Sequence, residues 1–315
     1  MTNQTTVFVA GATGMLGARI VESLLRRGAR VRALVRAGTA ADKRAVLDAS
    51  ASANENLQIV QGDILDPVDQ LARIVDGAEV VISAVQGGPD VIINGQVNLL
   101  RAAERAGVLR MMPSDFGVDL QRLDYGDNDF YDLRKKADEA FATSRVRPVY
   151  LFNGAFPEFV IQPISGLVDF EKNTFSYWGD GDQPIDFTTI RDTAEYTAAA
   201  VLDPTVAGRK VCVAGQVLTM KQFHEAVEQG SGQSLEIRHL GTTVELRAEI
   251  ERRKATAQSL FEYIALQFQW VFATGKGKML SLDNDLYPDI RPTSVVDSVR
   301  QARSQVGRTG EQANP

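Results

Sequence analysis

Residues 6–17, T-V-F-V-A-G-A-T-G-M-L-G, decide the fold of this chain of 315 residues. Residues 6–10 are apolar or β-branched, which predicts a buried strand, and a helical pattern begins at Ala18. The turn between them has the spacing G-x-x-G-x-x-G. Glycines at such a turn let the backbone approach a pyrophosphate, and the N–H groups at the start of the helix favour its negative charge. The stretch therefore predicts a dinucleotide-binding unit; the alternative is a tight turn without a ligand.

The alternation of strand and helix continues downstream. Strands are predicted at 30–35, 57–60, 79–84, 109–113 and 149–151, and helices at 67–74, 94–106 and 131–143. This order indicates a parallel sheet with helices on both faces, the Rossmann-type doubly wound α/β class.

After residue 154 strands and helices no longer alternate evenly, and aromatic residues cluster. We expect the dinucleotide-binding Rossmann domain to span 1–155 with returns near 185–215. A smaller, discontinuous C-terminal substrate domain is expected at 156–184 and 216–305, and a disordered tail at 306–315. Segment 242–272 is predicted to be one long helix or a broken pair, serving either as a lid or as a homodimer face.

The composition argues against several function classes. Acidic residues outnumber basic ones by 40 to 34, the wrong sign for binding a phosphate backbone. The single cysteine cannot form an intramolecular disulfide. With only two histidines, the sequence offers few ligands for a metal site and few candidates for the histidine of a Ser-His-Asp hydrolase. No leader-like or membrane-spanning apolar stretch is apparent. We therefore expect a cytoplasmic protein with no metal and no nucleic-acid or membrane partner.

The end of the second predicted strand indicates which dinucleotide is bound. NAD sites place an acid there, whereas this chain has Arg36, followed by Lys43. Arginine can pair with a 2′-phosphate, so the sequence favours NADPH; the alternative is a solvated basic strand end. The predicted cofactor-binding residues of this part of the chain are Gly11, Thr13, Gly14, Met15, Leu16, Gly17, Arg36, Lys43, Asp63, Ser83, Ala84, Val85 and Gln86.

Tyr131 and Lys135 form a Tyr-x-x-x-Lys pair on a predicted helix. Four residues are about one helical turn, so both side chains lie on one face. A lysine ammonium would stabilise the phenolate, which lets the tyrosine donate a proton to a reduced oxygen. Ser114, on the preceding loop, could hydrogen-bond the same oxygen. The competing interpretation is that residues 134–136, R-K-K, are only a solvated basic face.

Several motifs together carry a family resemblance. They are G-A-T-G-M-L-G at 11–17, R-M-M-P-S-D-F-G at 110–117, N-G-A-F at 153–156, Y-W-G-D-G-D at 177–182 and L-Y-P-D-I at 286–290. With them the chain resembles the isoflavone reductase-like branch of the atypical short-chain dehydrogenases, within the NmrA-like group. The resemblance implies an NADPH-dependent reductase with a catalytic lysine on the helix after the Pro-Ser-acid-Phe-Gly turn.

The register of that lysine is open. Counting back from Asn153 without gaps places Arg134 at the lysine position, and a shift of one residue places Lys135 there. Arginine does not release a proton near neutral pH, so the chemistry favours Lys135. The resemblance adds Lys135, Asn153 and Phe156 to the predicted cofactor site. The residues predicted to contact a flat aromatic substrate are Phe116, Phe156, Phe159 and Trp178.

The sequence therefore predicts an NADPH-dependent reductase. Its small-molecule substrate would be an aromatic or polycyclic carbonyl, ether or quinone-methide-like compound that accepts a hydride. The alternative is a non-catalytic NAD(P)-sensing regulator of the NmrA type, which shares the fold and the glycine turn. A nucleotide-sugar epimerase is a third hypothesis, and Arg36 argues against it because such enzymes hold NAD.

Overall fold

The structure, a computed structural model, describes residues 4–311, with side chains described up to Ser304. Its strands are β1 (Thr6–Ala10), β2 (Arg30–Val35), β3 (Leu57–Gln61), β4 (Val80–Ser83), β5 (Arg110–Met112), β6 (Arg147–Pro148), β7 (Tyr150–Phe152), β8 (Val168–Asp169), β9 (Thr174–Tyr177), β10 (Pro184–Phe187), β11 (Lys210–Cys212), β12 (Gln216–Thr219) and β13 (Glu236–His239). Its α-helices are α1 (Met15–Arg26), α2 (Ala41–Ala53), α3 (Val68–Val75), α4 (Gln96–Arg105), α5 (Asp129–Asp138), α6 (Pro157–Val160), α7 (Ile190–Leu202), α8 (Met220–Ser231), α9 (Thr243–Lys254), α10 (Ile264–Thr274) and α11 (Val295–Glu311).

The first of two compact units contains the parallel sheet. It comprises the chain up to Phe116 together with Leu133–Phe152 and Thr193–Val211. The strand order is β3-β2-β1-β4-β5-β6, and every pair is parallel. The chain reverses its direction of winding between β1 and β4, which is where doubly wound sheets bind ligands at the carboxyl ends of their strands. The predicted fold class is confirmed.

The helices around this sheet differ from the predicted ones mainly at their starts. Helix α5 begins at Asp129, two residues early, because the Asn128 side chain accepts from the N–H groups of Phe130 and Tyr131 at 3.1 Å. A π-helical turn over Asp90–Gly95 leads into α4. Helix α2 was not predicted, since its only buried side chain is Leu47 and its sequence has no apolar stripe.

The second unit comprises Gly117–Asp132, Asn153–Asp192 and the chain from Cys212 onward. It contains the antiparallel pair β10-β12 and the sheet β13-β9-β8. The two units have similar lengths, whereas the sequence predicted a smaller second domain. Gly117–Asp132 belongs to the second unit, although the sequence analysis placed it within the first domain, 1–155.

Two further predictions concern the C-terminal part of the chain. Segment 242–272 is a broken pair, α9 and α10, and a capping box between Thr242 and Glu245 begins α9. The expected disordered tail at 306–315 overlaps α11, which continues to Glu311, and residues 312–315 lie outside the described residues. Along residues 4–311, none of the helices combines the length and the apolar character needed to cross a bilayer.

Candidate functional site

The glycine turn after β1 is held together by two close backbone contacts. Gly11 has a φ of +83°, and a Cβ there would lie 2.3 Å from the carbonyl oxygen of Ala84. A Cβ on Gly17 would lie 2.1 Å from the carbonyl oxygen of Gly11. Both distances are far inside van der Waals contact, so the packing of β4 and α1 against the turn already requires these two glycines.

Gly14 is different, because the protein itself leaves room beside it. A Cβ there would meet only the Gly11 carbonyl oxygen, at 3.3 Å, and its φ of −80° suits any residue. Helix α1 begins at the next residue without a side-chain cap or an acidic residue in its first turn, and Met15 is 63% exposed. Uncapped N–H groups beside an open glycine suit the approach of a phosphate, so these residues fit a dinucleotide pyrophosphate.

Two cationic side chains are exposed beyond the end of β2. The carbonyl of Arg36 accepts from the N–H and hydroxyl of Thr39 at 3.2 and 2.8 Å, which shapes the turn, while its side chain is exposed. Lys43 is exposed on the first turn of α2. Arg44 instead holds Asp48 through two nitrogen–oxygen contacts of 2.9 and 3.1 Å. The exposed positions of Arg36 and Lys43 suit the 2′-phosphate of NADPH.

The other predicted cofactor residues of the first unit differ in accessibility. The Asp63 carboxylate accepts from the N–H of Leu65 at 3.0 Å and so shapes its own turn. Ser83 is fully buried, and its hydroxyl has no hydrogen-bond partner among the described residues. Ala84 and Val85 are half-buried and Gln86 is exposed, as expected at a strand end beneath a ligand. Thr13 and Leu16 are half-buried in the glycine turn.

Ser114 joins the loops that follow β4 and β5. Its N–H donates to Oε1 of Gln96 at 2.7 Å, and its hydroxyl donates to the carbonyl oxygen of Val85, also at 2.7 Å. Its own carbonyl accepts from Nε of Arg134 at 2.6 Å, and the residue is 3% exposed. The Ser114 hydroxyl therefore fastens the two loops to each other, and its hydrogen bond to a substrate oxygen stays a prediction.

The three consecutive cations on α5 have different environments. Arg134 is 5% exposed and donates to Ser114, Lys135 is half-buried, and Lys136 is exposed. A solvated basic face therefore describes Lys136 and does not describe Arg134.

Tyr131 lies in the first turn of the same helix, in the part that belongs to the second unit. Its ring is 5% exposed and packs edge-on against Phe268, with 5.5 Å between ring centroids. Its hydroxyl accepts from the N–H of Val118 at 3.4 Å and leaves no space for a side chain at Gly117, where a Cβ would lie 2.5 Å away. The phenol is therefore packed against the Gly117–Val118 backbone, a contact that the sequence did not predict.

A buried acidic cluster in the first unit was also not predicted. Asp115 follows Ser114 and is fully buried. Burial raises its pKa to about 6, although Arg134 opposes the shift. Burial, and then the Asp115 charge, raise the pKa of Asp138 to about 10. The four-residue spacing of Arg134 and Asp138 was the one sequence signal for this cluster.

The second unit places the predicted Asn153 in the interior. Asn153 is fully buried, and its N–H donates to the carbonyl of Gly117 at 2.9 Å. Within the described part of the chain, its Oδ1 has no hydrogen-bond partner. Phe156 and Phe159 pack edge to face at 5.7 Å, and Phe159 is 42% exposed. Phe116, in the first unit, is 9% exposed.

A cleft of about 570 Å³ lies in the second unit. Its walls are mixed in polarity and include the loop at Gly179, His239, Thr242, Thr243 and Thr274. Trp178 lines a smaller neighbouring cavity together with Gln269. The predicted aromatic substrate residues therefore do not line the larger cleft.

The basic segment 275–278, which has the appearance of a flexible loop in the sequence, is fastened by ion pairs. Lys276 lies 2.7 Å from Asp124 and 2.6 Å from Asp127. Lys278 lies 2.6 Å from the Asp186 carboxylate, whose side chain is 2% exposed. A buried carboxylate with a lysine partner was missed because the two residues are distant in sequence.

The fold and the glycine turn define a dinucleotide-binding protein of the doubly wound class. The NmrA-like family profile matches residues 3–271, and the chain belongs to that family. It is 26% identical to pinoresinol reductase 1 of Arabidopsis thaliana over 95% of this chain and 97% of that one. An NmrA-like family domain-containing oxidoreductase of Gibberella moniliformis is 27% identical, over 86% and 88% of the two chains. The structure of AtPrR2 with NADP+ and (+)pinoresinol matches with a TM-score of 0.81 and 23% identity, over 96% of this chain and all of that one.

Proposed function

We propose that the protein is an NADPH-dependent reductase of a small aromatic substrate. The observation that carries the proposal is the open, uncapped start of α1 at Gly14, in a family whose relatives include named reductases. When bound, NADPH supplies the hydride that a reduction needs. The exposed Arg36 and Lys43 favour NADPH over NADH because they offer charge-assisted hydrogen bonds to a 2′-phosphate.

The chain's own residues divide the binding work between them. The N–H groups at the start of α1 bind the pyrophosphate, and Arg36 with Lys43 binds the 2′-phosphate. Ser114 holds the Val85 loop in place through its hydroxyl. Asn153 and Phe156 remain proposed cofactor contacts.

Lys135 is the proposed residue that stabilises the substrate oxygen. Its neighbour Arg134 is buried against the Ser114 carbonyl, and a guanidinium does not give up a proton near neutral pH. A lysine ammonium can donate a hydrogen bond to an oxygen that gains negative charge, and can transfer a proton to it. Tyr131, four residues earlier on α5, remains a proposed proton donor.

The proposed substrate class rests on the relatives rather than on the cleft. Pinoresinol reductases and a eugenol synthase are among the similar proteins, and their names point to phenolic compounds. Phe116, Phe156, Phe159 and Trp178 are the proposed aromatic contacts.

The test combines cofactor binding with turnover. We expect the purified protein to bind NADPH more tightly than NADH by fluorescence titration. It should then oxidise NADPH when pinoresinol or another phenolic ether or carbonyl is added, with a reduced product seen by mass spectrometry. Tight NADPH binding without oxidation by any of these compounds would refute the reductase and support the sensing regulator.

A further inference from the structure

The carboxyl group of Asp115 is fully buried, Asp138 is half-buried with its Oδ1 atom inaccessible to solvent, and the two groups lie within hydrogen-bonding distance of each other. Among the described residues, the two oxygens of Asp115 and Oδ1 of Asp138 have no other hydrogen-bond partner. Ionised carboxylates only accept hydrogen bonds, so two of them cannot satisfy one another. They also repel strongly when they are buried together. A hydrogen bond between the two groups therefore requires one proton.

The charges of the surrounding groups also indicate that the two carboxyl groups hold one proton. Arg134, one turn before Asp138 on α5, is the cation that acts on both carboxyl groups. Tyr150, from β7, also faces the pair, and burial followed by the two carboxylates raises its pKa, so it stays neutral. One cation and one shared proton leave the cluster without net charge, whereas two ionised carboxylates would leave a buried negative charge uncompensated.

The cluster is connected to the loops at the cofactor-binding edge of the sheet. Arg134 donates to the carbonyl of Ser114 at 2.6 Å, and the Ser114 hydroxyl donates to the carbonyl of Val85 at 2.7 Å. Ala84, the residue before Val85, is the one against which Gly11 packs. These contacts form a continuous path from the carboxyl pair to the glycine turn.

We propose that Asp115 and Asp138 share a single proton in the folded protein and form with Arg134 a neutral buried triad that positions Ser114 and the Val85 loop. Arg134 is therefore a positioning residue, which explains an arginine at a place where the sequence left the choice between arginine and lysine open. The inference concerns the ligand-free chain and stands independently of the proposed reductase.

The main test is the pH dependence of stability, measured by urea unfolding of the ligand-free protein. At pH 7 to 9 the folded state holds one proton that the unfolded state releases, because an exposed aspartate ionises near pH 4. Stability should therefore fall as the pH rises, and the folding equilibrium constant should drop tenfold per pH unit from this source, about 100-fold over the interval. Asp138→Asn should remove this component, because its amide donates to Asp115 without a titrating proton.

Asp42→Asn is the matched control, since Asp42 is an exposed carboxyl on α2 of the same unit. It should keep the wild-type slope. Parallel pH profiles for wild type and Asp138→Asn would overturn the proposal. The double variant Asp115→Asn/Asp138→Asn leaves Arg134 without a carboxylate, so it should unfold at lower urea than the two single variants predict by addition. Simple additivity would count against the triad.

A measurement on the wild-type protein covers the case in which the variants do not fold. With aspartate labelled at the carboxyl carbon, NMR should show a carboxyl group that remains protonated through neutral pH. Ionisation of both groups near the ordinary aspartate value would refute the shared proton. Amide hydrogen exchange tests the positioning role: Arg134→Met should speed exchange at Ser114, and Arg134→Lys should restore part of the protection. Unchanged exchange in Arg134→Met would exclude that role.

Discussion

Replacing Gly14 by alanine should weaken the binding of NADPH without destabilising the folded protein. The added methyl group would meet only the Gly11 carbonyl oxygen, at 3.3 Å, and the φ of −80° is ordinary for alanine. The ligand-free protein should therefore change in stability by no more than about 0.5 kcal/mol, as at other surface positions. In the proposed complex the methyl group would compete with the pyrophosphate for the space beside Gly14. Such overpacking costs about 1 to 3 kcal/mol, so the dissociation constant for NADPH should rise roughly 5- to 150-fold.

Gly17→Ala is the matched comparison, because its Cβ would lie 2.1 Å from the Gly11 carbonyl oxygen. It should destabilise the ligand-free protein by about 1 to 3 kcal/mol or more. NADPH fluorescence titration and urea unfolding of both variants give the two quantities. The reasoning is refuted if Gly14→Ala binds NADPH as the wild type does, or if it loses as much stability as Gly17→Ala.

Three further substitutions test the assigned side chains. Arg36→Glu should weaken NADPH binding roughly 10- to 100-fold and leave the NADH dissociation constant within a few-fold, since charge-assisted hydrogen bonds are worth about 1.5 to 3 kcal/mol. Lys135→Met should lower kcat by about 10²- to 10⁴-fold with a much smaller change in NADPH affinity, while Lys136→Met at the exposed neighbour should not; equal kcat values for the two variants would exclude Lys135. Lys278→Met leaves the buried Asp186 carboxylate without its cation, although it still accepts from the N–H of Met279 at 2.9 Å. The change should cost about 3 kcal/mol in urea unfolding, the low end for a buried pair because Lys278 is 20% exposed, and a loss below about 1 kcal/mol would contradict this account.

The sequence predicted the parts of the structure that depend on local patterns. Apolar runs and turn residues that are adjacent in the chain were enough to predict β1, the glycine turn and the strands that follow it in the sequence. The open position at Gly14 belongs to this group, because strand, turn and helix start lie within twelve residues. Helix α2 was missed because its single buried leucine gives no periodicity to detect.

Contacts between segments that are distant in the chain could not be predicted from the sequence. Asp186 and Lys278 are 92 positions apart, and nothing in either segment indicates the other. The Tyr131 phenol was expected to face a substrate, yet its environment is set by the tight backbone at Gly117. Likewise, Asp115 was part of a recognised motif, but only the fold shows that it meets Asp138. Pairings of this kind depend on which loops the topology brings together.

The interleaved path of the chain constrains how the protein can fold during its synthesis. The first unit needs Leu133–Phe152 for the sixth strand of its sheet, and Thr193–Val211 beyond that. When the first 116 residues have left the ribosome, the edge of β5 still lacks its partner, and such an edge can pair with other chains. The usual order, in which an N-terminal domain folds before the next is made, is therefore not open to this protein. A fragment ending at Phe116 should aggregate when expressed alone, and a fragment extended to Val211 would supply every segment of the first unit.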